Sequence, residues 1–402
     1  MKYSRYIYIC FLFSVSLASA QQSGKKEAAK DSLPEMLLLD LQLQAEIADA
    51  VDYMYDFNFQ EAEKSFRWLK YRYPEHPLPY FVLGLSQWWR IMPNVENESY
   101  DKTFLAYMDS SLTKAYQLYK KNPENIEASF FLAGAYGFKG RLYAERHNWG
   151  KATFAGNNAL KYLRRGKGVN ELSPEFLFGD GLYNYYSVWI PQNYPALKPV
   201  MAFFKKGDKD LGLRQLDEVS RLAFYTRIEA MYFLMRIYTN EENKPQMAMQ
   251  VAEVLAKKYP NNPYFHRYHA MVNFSQGRLS KAEQISREIL ERVEKEQTGY
   301  EAVSGRYASY YIGYALYYRN KKDEAKIYLD KAVAYAEETK SYDSGYFRNA
   351  LNLLASIAKE RKNDREAKMY YEKIAKYGAK KKDRKDARKQ LKQYKKKKLD
   401  ED

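Results

Sequence analysis

Residues 59–74 read Phe-Gln-Glu-Ala-Glu-Lys-Ser-Phe-Arg-Trp-Leu-Lys-Tyr-Arg-Tyr-Pro. Ala62 is followed by Phe66 four residues on and by Pro74 twelve residues on. Ala248 is likewise followed twelve residues later by Pro260, in the run KKYPNNP. Outward from these segments a second spacing recurs, a small residue and then alanine twelve positions later, at Ala50/Ala62, Ala270/Ala282, Gly313/Ala325 and Ala355/Ala367. Leu329 and Ala332 follow Ala325, while Tyr371 and Ile374 follow Ala367. Two antiparallel helices joined by a tight turn approach closely only where small side chains face each other, and large apolar groups one turn away fill the flanking space. A terminal proline stops the second helix. The chain between its two ends carries amphipathic helical patterns with short breaks and no alternating strand pattern. About eight antiparallel helix pairs are predicted, beginning near residues 43, 77, 125, 173, 229, 263, 306 and 348.

This spacing resembles the tetratricopeptide repeat, a 34-residue helix-turn-helix unit. Ala248 and Ala282 are 34 residues apart, whereas Ala282 to Ala325 and Ala325 to Ala367 are 43 and 42, so helices or turns are lengthened there. No repeat carries the whole consensus, and Arg236 stands where the family has a small residue. The resemblance implies an all-α fold, a right-handed α-solenoid over residues 35–379, in which the first helix of each pair lines the concave surface. Residues 91–222 depart most from the pattern. Met92-Pro93-Asn94 interrupts one pair, and Ile190 to Gly207, with Pro191, Pro195 and Pro199, interrupts another. With its run Gly179-Asp180-Gly181-Leu182-Tyr183-Asn184-Tyr185-Tyr186, this stretch resembles a segment of exported bacterial tetratricopeptide-type proteins of unassigned role, and implies no activity. Gly179 and Gly181 cost helix stability, which fits either close helix contact or a kink.

Composition bounds the chemistry. The 402 residues include 66 Lys+Arg and 50 Asp+Glu, a net charge of +16, with one cysteine, four histidines and 40 tyrosines. Hydrophobic residues at 46% and charged residues at 29% exclude wholesale disorder. One cysteine excludes a disulfide scaffold, and four histidines leave little for a metal site. Lys2, Arg5, the apolar stretch Ile7 to Leu17 and Ala18-Ser19-Ala20 form a secretory signal over residues 1–20, cut before Gln21. Cys10 follows Ile7-Tyr8-Ile9, which is not a lipoprotein box, and no other apolar run is long enough to span a bilayer. The expected product is exported and thiol-free, periplasmic or outer-membrane-associated and not a lipoprotein. Residues 21–34 read as a flexible linker. Residues 380–402 hold 12 Lys/Arg against 5 Asp/Glu and read as a basic tail, either a solvated cap helix or an arm for an anionic cell-wall polymer or lipid. Export argues against nucleic acid as a partner.

Reactive constellations are thin. Asp208, Asp210 and Gly212 begin like a calcium loop, but the twelfth position is Val219 where the loop needs an acid. Gly207-Asp208 reads instead as a helix stop and N-cap. His266 and His269 share a helix face without further ligands, so they read as structural. Gly134, Gly137 and Gly140 suit helix packing, and no phosphate loop or nucleophile motif is present. The expectation is therefore no catalytic set, no metal and no cofactor.

The aromatic pattern says more. Tyr307, Tyr310, Tyr314 and Tyr317 line one helix face. The family's rule for first helices, carried through the small-residue register, places these four on the concave side. It places there also Phe81, Leu85, Trp88 and Trp89, then Phe131 and Phe138, then Phe176, Asp180 and Tyr183, then Tyr264 and Arg267. Tyr53, Tyr232 and Tyr328 are assigned to packing between helices. The expected function is a non-catalytic protein–protein interaction scaffold of the bacterial cell envelope that holds another protein or an extended peptide on this aromatic face. The alternative is a glycan- or cell-wall-binding module that stacks sugars on the same Tyr/Trp-rich surface.

Overall fold

The computed structural model describes residues 36–164, 173–195, 198, 205–378 and 380–401, the side chains of 395–401 excepted. The expected signal, the linker and Pro199 lie outside the described residues. Among the described residues are seventeen α-helices and no strand. The chain divides into two compact units, Met1–Lys244 and Pro245–Asp402. In unit 1, after a short 3-10 turn at Leu37–Leu39, the helices are α1 (Leu41–Tyr55), α2 (Phe59–Arg72), α3 (Pro77–Ile91), α4 (Asp101–Lys121) and α5 (Ile126–Glu145). They continue as α6 (Trp149–Leu163), α7 (Pro174–Asn193), α8 (Lys209–Leu222) and α9 (Arg227–Asn240). Unit 2 holds α10 (Pro245–Lys258), α11 (Pro263–Ser275), α12 (Leu279–Glu294) and α13 (Ala302–Tyr318). Its last four are α14 (Lys322–Glu338), α15 (Gly345–Glu360), α16 (Asp364–Tyr377) and α17 (Lys381–Glu401). A helix begins within four residues of each of the eight predicted starts.

One turn recurs. Between α1 and α2, α5 and α6, α11 and α12, α13 and α14, and α15 and α16, three residues intervene and the middle one is left-handed: Phe57 (φ 66°), His147 (55°), Gly277 (74°), Asn320 (62°) and Lys362 (55°). In each, the third residue's N–H donates to the carbonyl five residues back, at 2.8–3.0 Å. This is the double-bonded helix ending that satisfies orphan carbonyls and reverses the chain. Four residues beyond each turn stands an alanine, Ala62, Ala152, Ala282, Ala325 or Ala367, each fully buried. Twelve residues before each alanine lies Ala50, Gly140, Ala270, Gly313 or Ala355, also buried. Gly140/Ala152 is a fifth such pair, not singled out from the sequence. The closeness is real: a Cβ added at Gly313 would stand 2.7 Å from Leu329 Cγ and 3.1 Å from Leu329 N.

The irregular middle of unit 1 is also helical. The break after α3 is held by Arg146, which donates to both oxygens of Asp101 at 2.6 and 2.8 Å and to the carbonyls of Val95 and Asn97. Pro191, expected to interrupt its pair, lies inside α7, near its end. Asp208 caps α8 by accepting from Leu211 N at 3.0 Å. Gly179 and Gly181 serve close contact: a Cβ at Gly179 would overlap Leu163, and one at Gly181 would meet Leu216 at 3.0 Å. The closest approach to another helix's backbone is at Gly212 on α8, where an added Cβ would lie 2.6 Å from Tyr185 N and 2.7 Å from Gly181 O of α7.

Buried carboxylates tie the elements of unit 1 together. Glu175, on the first turn of α7, accepts from the backbone N–H groups of Phe224, Tyr225 and Thr226 at 2.6, 2.8 and 3.0 Å and from Thr226 Oγ1 at 2.7 Å. Phe224 and Tyr225 lie in the link between α8 and α9, and Thr226 is the N-cap of α9, so one carboxylate holds the donors of the whole junction. Glu229 of α9 reaches back much further along the chain. Its Oε1 accepts from Trp89 Nε1 of α3 at 2.8 Å and from Tyr55 Oη of α1 at 3.3 Å. Arg141 of α5 donates to the Tyr232 hydroxyl, and the Trp89 and Tyr232 rings meet edge-on at 5.9 Å. The first helices of unit 1 therefore close on themselves.

Unit 2 has its own core, which runs from Ala270 through Tyr310, Leu329 and Leu354 to Ala387. The basic tail is helical as α17, with Ala387 buried and Leu391 and Tyr394 packed against that core. Tyr53, expected to pack, is 43% exposed; Tyr232 is fully buried as expected, and Tyr328 is half-buried and accepts from Arg287 at 2.8 Å. Among the described residues, no helix is long and apolar enough to cross a membrane.

Candidate functional site

Each unit presents one candidate surface. In unit 1 the closed first helices surround a cavity of about 290 Å³. Its wall comes from α1, α3, α5, α7 and α9, with part of α6, and is mainly carbon: Phe81, Phe138, Leu160, Phe178 and Phe233 are typical. Gly137 opens onto it, since an added Cβ there would meet no atom within 4 Å. Of the three glycines expected to pack helices, only Gly140 lies against a facing backbone, while Gly134 meets the Phe81 ring at 3.1 Å.

Four charged residues stand in this wall, Arg141, Asp180, Glu229 and Arg236. Arg236, which the repeat pattern could not accommodate, is 3% exposed and donates to Tyr232 Oη at 2.7 Å. Arg141 lies over the Trp88 ring, 4.6 Å from its centroid. Glu229 is 3% exposed, and burial pushes its carboxyl above the usual carboxylate range. Its Oε2, Arg141 Nε and Tyr225 Oη are buried without hydrogen-bond partners among the described residues. Burial also pushes the Tyr225 phenol up.

The nine residues expected on the unit 1 face divide. Phe81, Leu85, Phe138, Phe176, Asp180 and Tyr183 line the cavity, Tyr183 also donating to Lys205 O at 2.6 Å. Trp88, Trp89 and Phe131 are at most 1% exposed and belong to the packing. Consecutive residues on a helix point about 100° apart, so Trp88 and Trp89 cannot share one face. Trp88 turns to Phe104 of α4 at 5.7 Å, and Trp89 to Tyr55 of α1 at 5.3 Å and to α9. Phe131 contributes to the cavity wall from beneath His76 and Phe81. Arg141 and Glu229 carry no local sequence signal, because their partners Tyr232, Trp89 and Tyr55 are distant in the chain. Arg236 stands out in the sequence only as a charged residue in a small-residue position.

In unit 2 the surface is a strip of tyrosines on α11 and α13. Tyr264 and Tyr268 stack at 5.0 Å, and Arg267 lies 5.6 and 5.9 Å from the centroids of Tyr264 and Tyr307. Arg267 also donates to Ser304 at 3.1 Å. Tyr314 meets Phe274 at 4.9 Å and Tyr318 at 4.5 Å, and Tyr317 meets Tyr318 at 5.3 Å. Tyr264, Arg267, Tyr307, Tyr314 and Tyr317 are half-buried, with aromatic surface left open, and Tyr318 is 61% exposed. Tyr310 is a correction: at 2% exposed it is enclosed by Tyr346 of α15 at 4.9 Å and Phe274 at 5.8 Å.

Below this strip, His266 is buried with Nδ1 3.0 Å from Tyr300 Oη. Burial, then Arg292 and His269, lowers its pKa to about 3. Glu288 lies 3.7 Å from Nε2, but it is half exposed and its pull is weak beside the burial. The unfolded chain takes up a proton near pH 6.5 that the folded chain refuses. Stability is thus full above pH 6.5 and falls by about 1.4 kcal/mol per pH unit as pH drops toward 3. Burial lowers His269 as well, with the same sign. Unfolding in urea at pH 7, 6 and 5 should show a shallower loss for His266→Gln than for the parent, and equal slopes would refute the assignment. Among the described residues, no group of three or more His, Cys, Asp or Glu is arranged to hold a metal.

No protein-family model matches the chain, and no curated protein matches it.

Proposed function

We propose that the protein is a non-catalytic interaction scaffold of tetratricopeptide-like, right-handed helix pairs, exported to the bacterial cell envelope, whose unit 2 binds an extended peptide or protein segment. The observation that carries this is the strip Tyr264, Tyr268, Tyr307, Tyr314, Tyr317 and Tyr318 around Arg267. Tyrosine presents a large rigid face with a hydroxyl edge and loses little entropy on binding, and arginine among aromatics is the usual anchor of interface hot spots. The reading of residues 1–20 as an export signal, made from the sequence, supports the compartment. The cations of residues 380–402 supply a second contact, with an anionic polymer or lipid, that should weaken steeply with salt.

A photocrosslinking group at position 314 should capture a partner in intact cells, and the same group at Ile327, exposed on the second helix α14, should not. The double variant Tyr264→Ala/Tyr314→Ala should fold and bind the captured partner at least tenfold more weakly. Equal capture from both positions, or retention on purified cell-wall polymer without any protein partner, would overturn the scaffold reading, the latter in favour of the glycan-binding one.

A further inference from the structure

The cavity of unit 1 plays no part in the peptide binding proposed for unit 2, and its chemistry is different. Its accessible wall is almost wholly carbon. The charged residues that stand in it are turned to other side chains or buried: Glu229 accepts from Trp89 and Tyr55, Arg141 and Arg236 donate to Tyr232, and Asp180 is buried. A peptide backbone or a sugar enclosed there would give up hydrogen bonds to water and find few replacements. An unbranched alkyl chain has none to give up, and each methylene it brings out of water is favourable.

The cavity is also long for its size. Its lining residues run on α5 from Ile126 to Ala144 and on α7 from Phe176 to Ile190, so it follows about 20 Å of helix, whereas a sphere of 290 Å³ is about 8 Å across. The space lies along α5 because that helix contributes Ala133 and Gly137 to the wall where α3, α7 and α9 contribute Phe81, Phe178 and Phe233. A fused ring system needs width that such a space lacks, while an extended chain needs only length. A carbon-walled cavity of about 150 Å³ takes benzene, with its six carbons, so 290 Å³ corresponds to about ten to twelve carbons.

We propose that the unit 1 cavity binds one unbranched alkyl chain of the kind a fatty acid or single-chain lipid carries, recognising the chain and leaving the head group in water. Calorimetric titration of the protein, freed of lipid, tests this with octanoate and decanoate and with octyl- and decyltrimethylammonium, all below their micelle concentrations. Each decyl compound should saturate one site and bind about tenfold or more tightly than its octyl counterpart, from two further buried methylenes. The gain should be the same for the anionic and the cationic head. 1-Adamantanecarboxylate, a compact carbon cage, should bind at least tenfold more weakly than decanoate. Gly137→Leu should weaken decanoate at least tenfold while melting no lower than the parent, because the new side chain enters open space in the cavity and leucine favours the helix. Gly150→Leu, equally open but outside the wall, should leave binding unchanged. The ligand comparisons on the parent protein stand whether or not these variants fold. Absence of saturable binding, a chain-length gain with only one head group, the cage binding as tightly as decanoate, or undiminished binding in Gly137→Leu would each overturn the site. None of these results bears on the tyrosine strip of unit 2.

Discussion

Glu175→Gln is expected to lower the stability of unit 1 by about 3 kcal/mol or more. The carboxylate accepts two hydrogen bonds on each oxygen, three of the four from backbone N–H groups that enter α9. Charge-assisted bonds of this kind contribute roughly 1.5–3 kcal/mol each, and a buried donor left without a partner costs about 1–3 kcal/mol. Glutamine keeps one oxygen but turns its NH2 group onto two donors, so two bonds are lost and like partial charges face each other. The residue is 2% exposed, so water cannot repair the loss without opening the helix junction. For a unit of this size, about 3 kcal/mol corresponds to a fall of roughly 6–12 °C in the melting temperature. Calorimetry of the full chain should show that fall in the transition of unit 1, and a shift under about 2 °C would refute the role given to Glu175.

The second large effect comes from a single methyl group. Gly212→Ala places Cβ 2.6 Å from Tyr185 N and 2.7 Å from Gly181 O, both backbone atoms of α7. A side chain can rotate away from such a contact, but two helix backbones must move apart. Overpacking typically costs about 1–3 kcal/mol, offset by about 1 kcal/mol of improved helix propensity. With rigid atoms on both sides, a net loss of about 2 kcal/mol is expected, read as a lower urea midpoint. The same substitution at Gly137, where Cβ meets nothing within 4 Å, should raise the midpoint instead. Opposite signs for one chemical change at two helical glycines form the test, and equal effects would sink the close-approach account.

Much of the helix plan was legible in residue spacing, for a physical reason. A three-residue turn fixes which side chains face each other across a hairpin, so the small residues recur twelve apart wherever that turn is used. Ala50/Ala62, Ala270/Ala282, Gly313/Ala325 and Ala355/Ala367 were readable because both members are small and flanked by large groups. Which tyrosine faces solvent was less legible. Tyr310 and Tyr314 lie on the same side of α13, yet Tyr346 of another helix encloses the first and leaves the second open. Covering of that kind depends on side chains distant in sequence and leaves no local periodicity. The charged wall of the cavity was hidden for the same reason, since Arg141 and Glu229 gain their meaning only from α3 and α9 meeting. Arg236 was the exception, visible as a misfit to the repeat.

Closure of the first helices in unit 1 changes how that unit must fold. In an open repeat array each repeat touches only its neighbours, so stability is a sum of adjacent terms and order can spread from any point. The bond between Tyr55 and Glu229 spans 174 residues, and that between Trp89 and Glu229 spans 140. Contacts of such high sequence separation carry the loop-closure entropy of the intervening chain, which raises contact order and slows folding. Unit 1 should consequently lose its structure cooperatively, and removing α9 should not yield a shorter stable array but an opened one with Trp89 exposed.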